Sequence, residues 1–262
     1  MTAYQNWLLA EDNHIATLTL NRPAENNSLT TDTLRELHAI TAELGASDDV
    51  WAVILQGQGP HFSAGADIQL FETMLNASKK AFREVVLETQ LVLDDFENIR
   101  KPTIARLQGF CIGGALFLAL CCDFRIASQR TIFAFPEVKL GLNPLWGTHR
   151  ITRLTGVAAA KELLMLGERF SAKTAHELGL VNRVVPPDQL DAEVAATADK
   201  FHRLPPRSVG MIKHLIHNGY HLPLRESEDM EIEMQAALLN SPDLREAVES
   251  YMEKSEPNFT GK

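Results

Sequence analysis

Short apolar runs that alternate with amphipathic helical patterns limit the folds open to this sequence. The runs NWLLA, HIATLTL and VWAVILQG are rich in large and β-branched residues and are bounded by polar turns, so they predict strands, the first two forming a hairpin. Further strands are expected at TIARL, FRIAS and TIFAF. Helices are expected from Thr30 or Thr31, with Leu34, Leu37, Ile40 and Leu44 on one face, and over residues 78–99, ending before Pro102. This alternation predicts an α/β fold with largely buried strands.

The chain changes character after about residue 186. Strand patterns stop there, and helices are expected near residues 190–202, 206–218, 224–239 and 242–254. We therefore divide the chain into an α/β core over residues 1–186 and a helical region over residues 187–262, which we expect to pack subunits together.

The charge of the chain argues against several classes of function. The 262 residues carry a formal net charge of -9 without a run of lysine or arginine, which disfavours binding to nucleic acid or to an anionic membrane. The N-terminal residues lack the pattern of a signal peptide, and the longest apolar run, residues 112–122, is too short to span a membrane. We therefore expect a cytoplasmic protein with no nucleic-acid or membrane partner.

The cysteines and histidines offer no metal site or disulfide. The three cysteines, Cys111, Cys121 and Cys122, share one apolar segment, where small buried side chains are expected rather than disulfides. His61 and His149 are isolated, and no pair of residues has the spacing of metal ligands. The sequence therefore predicts no metal site.

Two adjacent glycines, Gly113 and Gly114, open the apolar helix predicted within QGFCIGGALFLALCCDFRIAS. Each glycine inside a helix costs about 1 kcal/mol relative to alanine, so the pair indicates that the backbone packs closely against a strand or a ligand. The first N–H groups of a helix have no intrahelical partner and lie at the positive end of its dipole. Such an end can stabilise a negative charge.

A second segment of small residues, HFSAGADI at residues 61–68, follows a predicted buried strand. It is either a simple tight turn or a place where a ligand approaches backbone N–H groups. One donor from this segment and one from the Gly113–Gly114 segment would together form an oxyanion hole. Each such donor stabilises a transition state by roughly 3 kcal/mol.

Glu137 is the strongest candidate for proton transfer. It follows the strand TIFAF and Pro136, just beyond a thoroughly apolar run. A carboxylate that is partly buried there has a raised pKa and can accept and return a proton near neutral pH. The alternative is a glutamate that stabilises the first helical turn after a proline.

Five ordered motifs carry a resemblance that covers the whole chain, namely NRPAENNSL, FSAGADI, GFCIGGALFLALCCDFRIAS, FAFPEVKLGL and YMEKSEPNFTG. They resemble the crotonase superfamily, the enoyl-CoA hydratase/isomerase family. The resemblance implies a crotonase-type spiral of strand-strand-helix repeats with a helical C-terminal region, assembled as a homotrimer or a dimer of trimers. It also implies an acyl-CoA thioester as substrate and no separate cofactor, because coenzyme A is part of the substrate.

The resemblance also assigns roles to residues of this chain. The N–H groups of Ala66 and Gly114 would hold the thioester oxygen as it becomes an enolate, and Glu137 would act as acid and base near the α-carbon. Residues expected to border the substrate are Asn27, Ser28, Leu29, Ala64, Asp67, Ile68 and Gly113, with Arg22, Lys213 and Lys254 as candidate phosphate contacts. An apolar acyl pocket is expected from Phe117, Leu142, Trp146 and Phe71.

Phe117 departs from the pattern of the family's hydratases. Those enzymes carry a second glutamate three residues after the second glycine, where this chain has Phe117, and a phenyl ring cannot orient water usefully. Isomerisation of an enoyl-CoA double bond by Glu137 alone is therefore favoured. Hydration of a cyclic or conjugated enoyl-CoA, by Glu137 alone or with Asn143 or His149, is the first alternative. Decarboxylation, thioester hydrolysis, dehalogenation and acyl-CoA binding without catalysis remain as further alternatives.

Overall fold

In the computed structural model, which describes residues 4–262, nine strands form two sheets. They are β1 (Trp7–Asp12), β2 (Ile15–Leu20), β3 (Ala52–Gly57), β4 (Thr103–Leu107), β5 (Phe110–Ile112), β6 (Phe124–Ser128), β7 (Ile132–Ala134), β8 (Arg169–Ser171) and β9 (Arg183–Val185). The larger sheet has the order β1-β2-β3-β4-β6-β9, and the smaller sheet has the order β5-β7-β8. β1 and β2 form the predicted antiparallel hairpin, whereas the other neighbours in the larger sheet run parallel.

The chain alternates between the larger sheet and a second layer. After β4 it enters β5 of the smaller sheet, and after β6 it enters β7. Earlier turns extend this layer, because Ser63 forms a parallel bridge with Cys111 and Leu29 forms one with Ala66. Successive turns thus add a strand to the sheet and a short segment to the second layer, as expected for the spiral. Segments from distant parts of the sequence become neighbours there.

The same described residues contain ten α-helices. They are α1 (Thr31–Ala46), α2 (Ile68–Leu75), α3 (Lys79–Asn98), α4 (Gly114–Leu120), α5 (Thr148–Leu166), α6 (Ala172–Glu177), α7 (Leu190–His202), α8 (Pro206–Gly219), α9 (Leu224–Leu238) and α10 (Pro242–Glu253). α1 begins where predicted, because Thr30 and Thr33 cap each other reciprocally. α4 is buried from Ala115 to Leu120, which explains why its sequence has no polar face.

The strands and helices predicted from the sequence are confirmed, but the structure contains several more. The additional elements are α2, α5 and α6 and the three-residue strands β5, β8 and β9. β9 ends at Val185, and the elements described after it are helical. The domain boundary itself stays a prediction. α7 packs against the larger sheet, because Leu190, Val194 and Ala198 form one apolar cluster with Ile104 and Ile126.

The three cysteines are buried free thiols, as predicted. Burial raises the pKa of Cys122 to about 12, so this thiol stays protonated at neutral pH. Within residues 4–262, no helix has both the length and the apolar character that a membrane span requires. The same residues hold no group of three His, Cys, Asp or Glu side chains placed to bind a metal ion.

Candidate active site

The second layer brings Ala66 next to Gly114. The Leu29 N–H donates to Gly65 O over 2.8 Å, and the Asp67 N–H donates to Leu29 O over 2.9 Å. In a parallel bridge of this kind, the residue between the two bonds directs its own N–H to the opposite side. For Ala66 this side faces α4, because a Cβ on Gly114 would lie 3.6 Å from Ala66 N. The two predicted donors are therefore together.

Gly113 is required by its conformation and by its neighbour. Its φ of 55° lies in the region that favours glycine, and its N–H donates to Ala134 O over 2.9 Å, which joins it to β7. A Cβ at this position would lie 2.9 Å from Glu137 Oε1. The first glycine thus leaves room for the carboxylate, and the second lies beside Ala66.

Asp67 fixes the loop that carries the Ala66 N–H. Its Oδ2 accepts a hydrogen bond from Ser28 Oγ at 2.7 Å, and its Oδ1 accepts from Gln69 N at 3.0 Å as the N-cap of α2. The Gln69 N–H and the Ser28 hydroxyl both lower the pKa of Asp67. Asp67 therefore stays ionised and engaged, and it supports the donor rather than exchanging protons.

Asn27 is expected from the sequence to border the substrate, but the structure gives its side chain another task. Asn27 is fully buried, and its Nδ2 donates to Gln58 O at 2.9 Å and to His61 O at 2.8 Å. Its Oδ1 accepts from Arg22 N at 2.9 Å. The Asn27 amide therefore holds two loops together, and contact of its segment with the substrate stays a prediction.

Glu137 lies in a 3₁₀ turn, Pro136–Leu140, directly after β7. It is partly buried, and within the described residues its buried Oε2 has no hydrogen-bond partner. Burial raises the pKa of Glu137, and a bond from its own backbone N–H opposes the shift. A carboxylate with one unpaired oxygen and a raised pKa, beside two backbone donors, suits proton transfer at a carbon next to a carbonyl.

An aromatic wall, defined as Phe117, Phe135 and Trp146, lies beside these groups. The Phe117 ring stacks on Phe135 with 5.5 Å between centroids and lies 6.4 Å from Trp146. Phe117 is 6 % exposed, and it packs so closely on Gly147 that a Cβ there would lie 2.1 Å from its ring. The position of the missing second glutamate is thus filled by a buried apolar ring.

Sequence analysis missed the polar side chains that hold Trp146. Trp146 Nε1 donates to Asp94 Oδ1 over 3.1 Å, and the Arg150 guanidinium lies 3.7 Å from the indole centroid. Arg150 also donates to Asp94 over 2.8 Å and to both oxygens of Glu97 over 2.7 and 2.6 Å. We call Asp94, Glu97 and Arg150 the Arg150 cluster. Asp94 and Glu97 lie more than fifty residues from Arg150, so no local pattern indicates the pairing.

Other predicted residues have varied positions around this centre. Ser28 and Leu29 are buried, Ala64 and Phe71 are half-buried, and Ile68 and Leu142 are exposed. The Leu142 N–H donates to Glu137 O over 3.0 Å, so Leu142 lies beside the 3₁₀ turn that carries Glu137. Asn143 and His149, considered for hydration, are both exposed.

The three candidate phosphate contacts have different outcomes. Lys213 is 7 % exposed, pairs with Asp123 at 2.8 Å and donates to Lys101 O at 3.0 Å, so the expectation for Lys213 is wrong. Arg22 lies 3.9 Å from Asp67 and is therefore near the loop of Ala66. Lys254 ends α10 and is exposed, and its role stays a prediction.

Comparison with known proteins gives the same family along nearly the whole chain. Residues 10–262 match the enoyl-CoA hydratase/isomerase family. A crotonyl-CoA hydratase of Syntrophomonas wolfei is 35 % identical over 262 residues, covering 99 % of this chain and 100 % of the relative. An enoyl-CoA isomerase/hydratase of Mycosarcoma maydis is 34 % identical over 255 residues, covering 94 % of this chain and 92 % of the relative.

Solved structures agree with the sequence relatives. The crystal structure of an enoyl-CoA hydratase from Bacillus anthracis matches with a TM-score of 0.91 and 32 % identity, covering 98 % of this chain and all of the other. The chain therefore belongs to the enoyl-CoA hydratase/isomerase family of enzymes, and the predicted crotonase fold is confirmed.

Proposed function

We propose that this enzyme moves the double bond of an enoyl-CoA thioester, with Glu137 as the single proton carrier. One observation carries the proposal: the buried Phe117 ring occupies the position at which the family's hydratases have their second glutamate. Glu137 keeps an unpaired oxygen, whereas the other carboxylate near the two donors, Asp67, is engaged by Ser28 and Gln69.

The geometry supports a complete sequence of proton transfers. With the thioester oxygen between the N–H groups of Ala66 and Gly114, the Glu137 carboxylate removes a proton from the α-carbon of a 3-enoyl-CoA. The electron pair of that C–H bond forms a dienolate, whose oxygen accepts the two N–H bonds. Glu137 then returns the proton to the γ-carbon, and the double bond ends between the α- and β-carbons. The aromatic wall keeps water away from the dienolate.

Hydration of an enoyl-CoA by one glutamate is the second candidate. It is supported by the relatives, since the Syntrophomonas wolfei protein is named a crotonyl-CoA hydratase. In this chain, Glu137 would have to activate the water and protonate the α-carbon by itself or with Asn143 or His149, both of which have exposed side chains.

Mass spectrometry in deuterated buffer separates the two candidates. The protein is incubated with 2-enoyl-, 3-enoyl- and cyclic dienoyl-CoA thioesters, and the products are analysed for double-bond position, deuterium and added water. We expect a shifted double bond without added water from wild type and from Phe117→Leu, and no reaction from Glu137→Gln. A hydrated product from wild type, formed without a shifted double bond, would contradict the proposal.

A further inference from the structure

Trp146 is the residue of the aromatic wall that also borders a large cavity. The cavity has a volume of about 1020 Å³ and is lined by residues of α3, α5 and α8 together with the end of α4. Trp146 lines this cavity and also lies 6.4 Å from the ring of Phe117, which is one helical turn after Gly114 on α4 and donates its N–H to Gly113 O. The indole therefore lies between the cavity and the Phe117 ring of α4, the helix that begins at Gly114.

The indole is held rigidly from the cavity side. The Arg150 guanidinium lies over the indole at 3.7 Å, and Asp94 accepts the indole N–H at 3.1 Å. Glu97 in turn holds Arg150 through both of its oxygens. Rotating the indole away would break the N–H bond and the cation–π contact together, so the ring resists displacement by a ligand.

We propose that Trp146 is a specificity-determining residue that restricts the enzyme to short-chain acyl-CoA thioesters. The inference rests on the proposed function, because it assumes a thioester oxygen at Ala66 and Gly114. An acyl chain that extends from Glu137 along Phe117 meets the indole. A short acyl chain ends before the indole, and a longer acyl chain has to displace the indole.

The cavity behind the indole could accept a longer acyl chain if the indole were removed. Its lining includes the apolar side chains of Leu120, Leu154, Ile212 and Ile216. Each methylene that becomes buried there would tighten binding about fourfold. The effect of removing the indole is therefore expected to grow with the length of the acyl chain.

Calorimetric titration with saturated thioesters, from butyryl- to decanoyl-CoA, tests this inference without any reaction. For wild type, we expect the Kd to stop falling as the chain grows beyond hexanoyl. For Trp146→Ala, we expect decanoyl-CoA to bind at least about tenfold more tightly than to wild type, with the Kd of butyryl-CoA changed less than about threefold. Leu154→Ala enlarges the cavity but keeps the indole, so its Kd values should depend on acyl-chain length as those of wild type do.

Variants of Asp94 test whether its hydrogen bond with the indole N–H holds Trp146 in position. Asp94→Asn keeps an oxygen that can accept the indole N–H and should retain the wild-type length dependence. Asp94→Leu removes the acceptor and should shift the dependence toward that of Trp146→Ala. If Trp146→Ala does not fold, the pair of Trp146→Phe, which keeps a ring, and Trp146→Leu, which does not, provides the same comparison.

Two results would overturn the inference alone. One is a wild-type Kd that keeps falling through decanoyl-CoA, and the other is an unchanged length dependence in the Trp146 variants, while a double-bond shift is still observed. The expected length dependence without any double-bond shift would instead contradict the proposed function and leave the inference standing. Failure to bind any acyl-CoA would overturn both.

Discussion

Two partly buried glutamates, Glu137 next to Gly113 and Glu97 next to Arg150, have different surroundings in the fold. Glu137 has a buried oxygen without a partner in the described residues, whereas Glu97 accepts two hydrogen bonds from Arg150. Burial raises the pKa of both, but at Glu97 the Arg150 cation opposes the shift. A buried carboxylate without a cation is free to exchange a proton, and one that has a cation is a structural element.

Exchanging each glutamate for glutamine gives the largest expected difference. Glu137→Gln should lower the rate of the double-bond shift by about a thousandfold or more, because a positioned acid and base contributes roughly 10² to 10⁴. Glu97→Gln should change the rate less than about tenfold on a short-chain substrate, because the amide oxygen of the new side chain can still accept from Arg150. Steady-state kinetics of both variants checks this. Equal losses in the two would remove the distinction between them.

Replacing Gly114 by proline tests whether an unpaired carboxylate suffices by itself. Proline is tolerated at the first position of a helix but has no N–H, so Gly114→Pro should remove one donor while α4 still forms. The expected loss in kcat is about 10² to 10³. Circular dichroism of the variant controls for folding. Full activity in a folded Gly114→Pro protein would rule out an oxyanion hole at this position.

The stability of two variants should change in opposite directions. Arg150→Met leaves the half-buried Glu97 without its cation and should lower the free energy of unfolding by about 2 kcal/mol, a value reduced for the partial exposure of Arg150. Glu137→Gln removes an unpaired buried charge and should raise the free energy of unfolding at neutral pH. Urea denaturation of both variants measures the two changes.

The pH dependence of the stability gained by Glu137→Gln provides a separate test of its sign. Below the ordinary glutamate pKa of 4.5, Glu137 is protonated in the folded and unfolded states alike. As pH rises through its raised folded pKa, the folded wild-type protein must hold a buried charge and loses stability. The advantage of Glu137→Gln should therefore shrink as pH falls toward 4.5. An advantage that does not depend on pH would show that charge is not its cause.

That the residues of the candidate site lie together can be predicted from sequence, because local patterns and the resemblance they carry identify each residue. Ala66 and Gly114 lie in segments of small residues, and Glu137 follows a strand and a proline, so each is recognisable from its own neighbours. The sequence places Asp67 at the substrate but does not reveal the capping bond that starts α2, so that helix is missed.

The contacts that hold the candidate site in place cannot be predicted in this way, because they join residues that are far apart in the sequence. Trp146 bonds to Asp94 across 52 positions of sequence, and Lys213 pairs with Asp123 and donates to Lys101 O, both far from it in sequence. The amphipathic pattern of α3 includes Asp94 and Glu97 but does not indicate that they face α5. The length of α5 cannot be predicted from the sequence for a different reason: Gly156, with φ 79°, introduces a kink within the helix.

The parallel bridge between Leu29 and Ala66 has a consequence for how such enzymes diverge. The group that it aims is a peptide N–H, which all residues except proline possess, so exchange of the Ala66 side chain leaves the donor in place. The proposed donor to the enolate oxygen is thereby retained through most substitutions around it. A lineage could exchange a glutamate for a phenylalanine at position 117, and so change the reaction, without rebuilding the part that makes any of these reactions fast.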